Sequence, residues 1–108
     1  MKIYLKKTFA DNTPTLLKKC GYHYTGEFRG ESGFARRAGA GIYPQFHIYV
    51  NQDTDEELIL NLHFDAKKPS YAGSSMHSGE YDTEIVKDEA DRIKNFIARV
   101  AEESGNQT

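Results

Sequence analysis

Phe46, Ile48 and Val50 alternate with His47 and Tyr49, and Leu58, Leu60, Leu62 and Phe64 alternate with Asn61, His63 and Asp65. A period of two sends successive side chains to opposite faces of a strand, so each run carries one apolar and one polar face. Between the runs, Asn51 to Glu57 is rich in turn formers and poor in apolar residues. This predicts an antiparallel hairpin, with His47 opposite Asn61 or His63 according to register. One face belongs to a core. The other, with His47, Tyr49, Asn61, His63 and Asp65, is open to a ligand.

The remaining pattern supplies the rest of a domain. Ile3 to Phe9 alternates weakly, and Lys6 and Lys7 suit a solvent-facing edge strand. Thr13-Pro14 followed by Leu16, Leu17, Lys18, Lys19 and Gly21 predicts a short helix with Thr13 as cap, Pro at its start and Gly at its stop. Tyr22 to Arg29 is β-prone, and Gly30 with Gly33 marks a turn before Phe34-Ala35-Arg36-Arg37. Ile85, Val86, Ala90, Ile93, Phe96, Ile97 and Val100 recur at helical spacing behind a cap at Asp82 or Thr83. That helix should cover the apolar sheet face, with Asp88 and Arg92 paired four residues apart on its polar side. Ala66 to Asp82 shows no period and reads as a long connection; its Tyr71, Met76, His77 and Tyr81 predict an ordered loop over the polar face. The expected fold is α+β, a mainly antiparallel sheet with the carboxy-terminal helix on one face and a short amino-terminal helix. Residues 1–103 would form one domain and 104–108 a flexible tail.

Length and composition agree with that assignment. The chain has 108 residues, enough for one modest core, and its seven Tyr and six Phe exceed what a core alone requires. No apolar run reaches membrane-spanning length and Met1 to Lys7 lacks a signal-peptide core, so the expected compartment is the cytoplasm, without a membrane partner. Cys20 is the single cysteine, which excludes an internal disulfide and a Cys-cluster metal site. Net charge is −2, yet Met1 to Val50 holds eight Lys/Arg against three Asp/Glu while Asn51 to Thr108 holds six against thirteen. A basic half can attract a polyanion or neutralise its own acidic helix.

Two chemistries follow from the polar positions. Arg29, Arg36, Arg37, Tyr43 and Tyr49, then Lys67, Lys68 and Tyr71, interleave cations with aromatic rings, as surfaces that stack bases and hold phosphates do. This predicts a binding domain for a phosphate-bearing ligand, foremost nucleic acid. Alternatively, His47, His63 and His77 with Asp65 would serve a small hydrolase or phosphoesterase, by proton transfer or by holding zinc, or iron at an open site. The binding reading needs no cofactor. A third class is a protein-interaction or homo-oligomer module built on a strand edge or the Tyr-rich face. Ser70, Ser74, Ser75 and Ser78 lack the Gly-X-Ser-X-Gly setting of a nucleophile elbow, and Gly39-Ala40-Gly41 lacks the Lys-Ser/Thr of a phosphate loop.

Phe34 to Arg37, Tyr43 to Tyr49, Leu62 to Tyr71 and His77 to Asp82 resemble segments of a family of small bacterial proteins of unknown function. The resemblance spans most of the chain and implies no activity, cofactor or site.

Overall fold

The hairpin predicted around Asn51 to Glu57 forms, and it anchors a five-stranded antiparallel sheet. The computed structural model describes residues 1–66 and 78–105. Its elements are β1 (Lys2–Lys6), α1 (Thr13–Lys19), β2 (His23–Phe28), β3 (Glu31–Arg37), β4 (Gln45–Asp53), β5 (Glu57–Asp65) and α2 (Ser78–Gly105). The strand order is β1-β5-β4-β3-β2. Four strands therefore meander in sequence while β1 adds to the far side of β5, and α1 connects the two edge strands. The fold is α+β. No helix among the described residues is long and apolar enough to cross a membrane.

Turn chemistry explains the local choices. Asn12, one residue before the expected cap, accepts a 2.9 Å hydrogen bond from the Thr15 amide through its side chain and starts α1. Gly21 at φ +104° ends it, with Gly21 N–H donating to the Lys18 carbonyl and Tyr22 N–H to the Leu17 carbonyl. This is the paired bonding of a Schellman stop, which needs a left-handed residue. Arg29 and Gly30, both at positive φ, make the tight β2–β3 turn. Gly33 lies inside β3, not in the turn, opposite Tyr49. The last helix begins at Ser78 and not at Asp82 or Thr83, so the end of the predicted connection is helical, and it continues to Gly105. Cap-type residues recur at all three positions, and the sequence pattern does not choose among them.

Alternation places the core where the periodicity demands. Ile3, Leu58, Leu60, Leu62, Phe46, Ile48 and Phe34 bury one sheet face together with Leu16 and Leu17 of α1 and Ala90, Ile93 and Ile97 of α2. Both helices thus share one face. A bulge between Val50 and Gln52 absorbs Asn51, and upstream of it His47 pairs directly with His63 and Tyr49 with Asn61.

One carboxylate enters this core. Glu89 of α2 is 5% exposed and accepts hydrogen bonds from Tyr22 Oη at 2.7 Å, Arg92 Nε at 2.8 Å and Arg92 Nη2 at 2.9 Å. Arg36 Nη1 of β3 lies 3.5 Å away, and Arg92 Nη2 also donates to the Cys20 carbonyl at 2.9 Å. Arg92 therefore turns to Glu89 three residues before it, where the sequence had suggested Asp88. Burial alone would raise the Glu89 carboxyl, but the hydrogen bonds from Arg92 and Tyr22 and the charges of Arg92 and Arg36 outweigh it and hold it below the usual range. The same burial, with the Glu89 charge, pushes the Tyr22 phenol far up.

Two stability measurements check this arrangement. Leu60→Ala removes a fully buried side chain and should lower unfolding free energy in urea by roughly 2–5 kcal/mol; a loss under about 0.5 kcal/mol would place Leu60 outside the core. Glu89 has a depressed folded-state pKa, so its contribution is complete above the ordinary carboxyl range and is lost as pH falls through the folded value. Glu89→Gln should be less stable than the parent at pH 7, with the gap narrowing as pH falls below about 4.5, the usual glutamate value. A pH-independent gap would mean that the carboxylate charge contributes nothing.

Candidate functional site

Because α1 and α2 both pack on the apolar face, the opposite sheet face presents the alternate residues of every strand. In β4 these are Gln45, His47 and Tyr49, and in β5 Asn61, His63 and Asp65. Gly33, Ala35 and Arg37 contribute from β3, and Phe28 closes β2. Lys2, Tyr4 and Lys6 flank the far edge, with Tyr4 63% exposed.

The rings on this face form a continuous row. Phe28 and Tyr49 have centroids 5.8 Å apart, Tyr49 meets His63 edge-on at 5.8 Å, and His47 lies nearly parallel to Tyr49 at 6.3 Å. The Arg29 guanidinium sits 5.4 Å from the Phe28 centroid and extends the row with a cation. Gly33 makes the crossing of β3 possible: a Cβ there would lie 2.9 Å from Thr25 Oγ1, 3.3 Å from the Gly26 carbonyl oxygen and 3.4 Å from Tyr49 Cε1. The closest of these is Thr25 on the neighbouring β2, so the missing side chain serves first the close approach of β2 to β3, and the Tyr49 ring packs over the same spot at ordinary contact distance.

The histidines converge as a pair. His47 and His63 are direct cross-strand partners, and Asp65 Oδ2 lies 3.8 Å from His47 Nδ1, an ion pair when that ring is protonated. Burial, then the charge of the Met1 amine and of His47, lowers the His63 pKa below the usual histidine range, favouring a neutral ring near pH 7. Met1 N also donates to the Leu62 carbonyl at 2.8 Å, fixing this end of β5. An open cavity of about 240 Å³ beside it is lined by Met1, Leu62, His63, Phe64, Thr83 and Val86. Among the described residues, no group of three or more His, Cys, Asp or Glu is arranged to hold a metal ion. His77, the third histidine of the expected zinc or iron set, lies outside the described residues.

The basic residues do not all share this face. Arg37 and Arg29 are exposed on its side, whereas Arg36 points into the Glu89 cluster. Tyr43 is 40% exposed in the segment before β4. Lys67, Lys68 and Tyr71, and the expected loop over the histidines, lie outside the described residues. Glu31, Glu57 and Asp65 are acidic neighbours on the same face, Glu31 accepting a 2.8 Å hydrogen bond from Asn51 Nδ2. Phe28 was missed by sequence reasoning. Its signal was an aromatic residue directly before an X-Gly turn, which places a ring at the sheet's end.

If Gly33 is the floor of the ring row, Gly33→Ala should destabilise the protein by about 1–3 kcal/mol and weaken the NMR cross-peaks between the Tyr49 and Phe28 rings. Unchanged cross-peaks would show that the row does not depend on that floor.

No protein-family model matches the chain, and no curated protein or solved structure matches it.

Proposed function

We propose that the helix-free face of the sheet binds single-stranded nucleic acid, with bases stacked on Tyr49 and Phe28 and phosphates held by Arg29 and Arg37. The continuous ring row from Phe28 through Tyr49 to the histidines carries this reading. A planar base can lie on an exposed ring with little regard to sequence, and each such stack is worth roughly 1–3 kcal/mol. Phe28 is 55% exposed, so the surface it offers is accessible without rearrangement. Tyr43, and Lys67, Lys68 and Tyr71 beyond the described residues, extend the expected ligand path; Arg36 is committed to Glu89 and is left out of it.

The charge distribution sets the character of binding. A net charge of −2, with Glu31 and Asp65 on the same face as the rings, makes stacking the main attraction and phosphate contacts the lesser one. Two phosphate contacts would give a salt slope of about −1.4 for a single strand, far shallower than that of a strongly basic binder.

Fluorescence anisotropy with a labelled single-stranded oligonucleotide at several salt concentrations tests this reading. Tyr49→Ala should weaken binding by about 1–3 kcal/mol, and Arg29→Ala should flatten the salt slope by about 0.7. Affinity indifferent to both changes, in variants that remain folded, would remove nucleic acid from consideration.

A further inference from the structure

We propose that His63 and His47 cleave RNA bound on the ring row, as base and acid of a phosphodiester transesterification. The inference rests on the binding reading above and adds chemistry to it. Directly paired residues on adjacent antiparallel strands have Cβ atoms roughly 4.5–5.5 Å apart, so two imidazoles so placed can straddle one phosphodiester. Tyr49 lies beside both histidine rings, with centroids 6.3 Å from His47 and 5.8 Å from His63. A base stacked on Tyr49 therefore delivers its own sugar and phosphate beside the pair, and positioning of this kind is itself a large part of catalysis.

The two rings sit in different surroundings. His47 turns Nδ1 toward Asp65 Oδ2 at 3.8 Å, which leaves Nε2 on the ring's far side and gives an imidazolium a counter-charge. His63 has no carboxylate partner among the described residues; its neighbours are Tyr49, His47, Asn61 and the Met1 amine. Burial, and the charges of the Met1 amine and His47, favour its neutral form, the state a base needs.

The reaction requires only proton movement from the protein. His63 takes the proton of a ribose 2′-hydroxyl as that oxygen attacks the adjacent phosphorus. The bond from phosphorus to the 5′-oxygen breaks, and His47 gives its proton to the departing oxygen. The products are a 2′,3′-cyclic phosphate and a 5′-hydroxyl end, with no oxidant, reductant or co-reactant consumed. DNA lacks the 2′-hydroxyl and should bind without being cut.

The test uses the full chain with a labelled single-stranded oligoribonucleotide and its all-deoxy counterpart, following anisotropy for binding and mass spectrometry for the ends formed. The expected result is binding of both strands, cleavage of RNA alone to cyclic-phosphate ends, and a loss of about a hundredfold or more in cleavage rate for His47→Asn and for His63→Asn. Cleavage rates are compared at protein concentrations that saturate the RNA for parent and variant alike, so that a change in affinity does not enter the comparison. RNA that binds and stays intact overturns the cleavage proposal and leaves the binding reading standing. Cleavage that persists in the doubly substituted protein, or ends other than the cyclic phosphate, overturns it as well. Failure of both strands to bind at any salt concentration overturns both readings.

Discussion

The position of α2 on the sheet depends on the Glu89 carboxylate. Apolar side chains such as Ile93 and Ile97 hold the helix to the sheet, but burial is non-directional and tolerates small slides. Glu89 is different because its oxygens need donors at fixed places. It finds them in Tyr22, where the chain leaves α1, in Arg36 of β3, and in Arg92 on its own helix. Arg92 then reaches the Cys20 carbonyl at the end of α1. The Glu89–Arg92 pair so fixes three segments of chain relative to each other, the end of α1, β3 and α2, and the directional contacts set a register that hydrophobic burial leaves loose.

The consequence reaches the far side of the sheet. Arg36 is drawn toward the helices, so its neighbours Ala35 and Arg37 face the other way, and two residues earlier Gly33 lies under Tyr49. The ring row and the buried cluster are thus alternate faces of one strand. A sheet with both helices on one side leaves a polar face whose residues need not serve packing, and a stacking surface or a pair of imidazoles can occupy it at small cost in stability.

Much of this was legible in the sequence, and the reasons differ by element. Strict alternation in Phe46 to Val50 and Leu58 to Asp65 assigned the core and opposite faces correctly, because a period of two admits one arrangement when one side is buried. Alternation could not choose between Asn61 and His63 as the partner of His47, since the bulge at Asn51 decides it. The Glu89 cluster was illegible: Tyr22 and Glu89 are far apart in sequence, and a local i,i+4 rule pointed Arg92 to Asp88. Gly33 resembled a turn residue for a comparable reason, because the close neighbours that leave no room for a side chain, Thr25 and Gly26, come from another strand. Local chemistry wrote the turns and the strands; the contacts that unite them are long-range.

Among the described residues, no strand pairs with the outer side of β1 or of β2. On β1, an antiparallel copy paired about Tyr4 would bring Lys2 opposite Lys6, like charge against like. On β2, the ladder is interrupted between Tyr24 and Gly26, and Gly26 at φ +120° bends the strand away from a regular template. Neither border offers a flat, neutral row of amides and carbonyls to a second sheet. Among the described residues, the sheet thus carries its aromatic face between borders that discourage the edge-to-edge growth a regular sheet would otherwise invite.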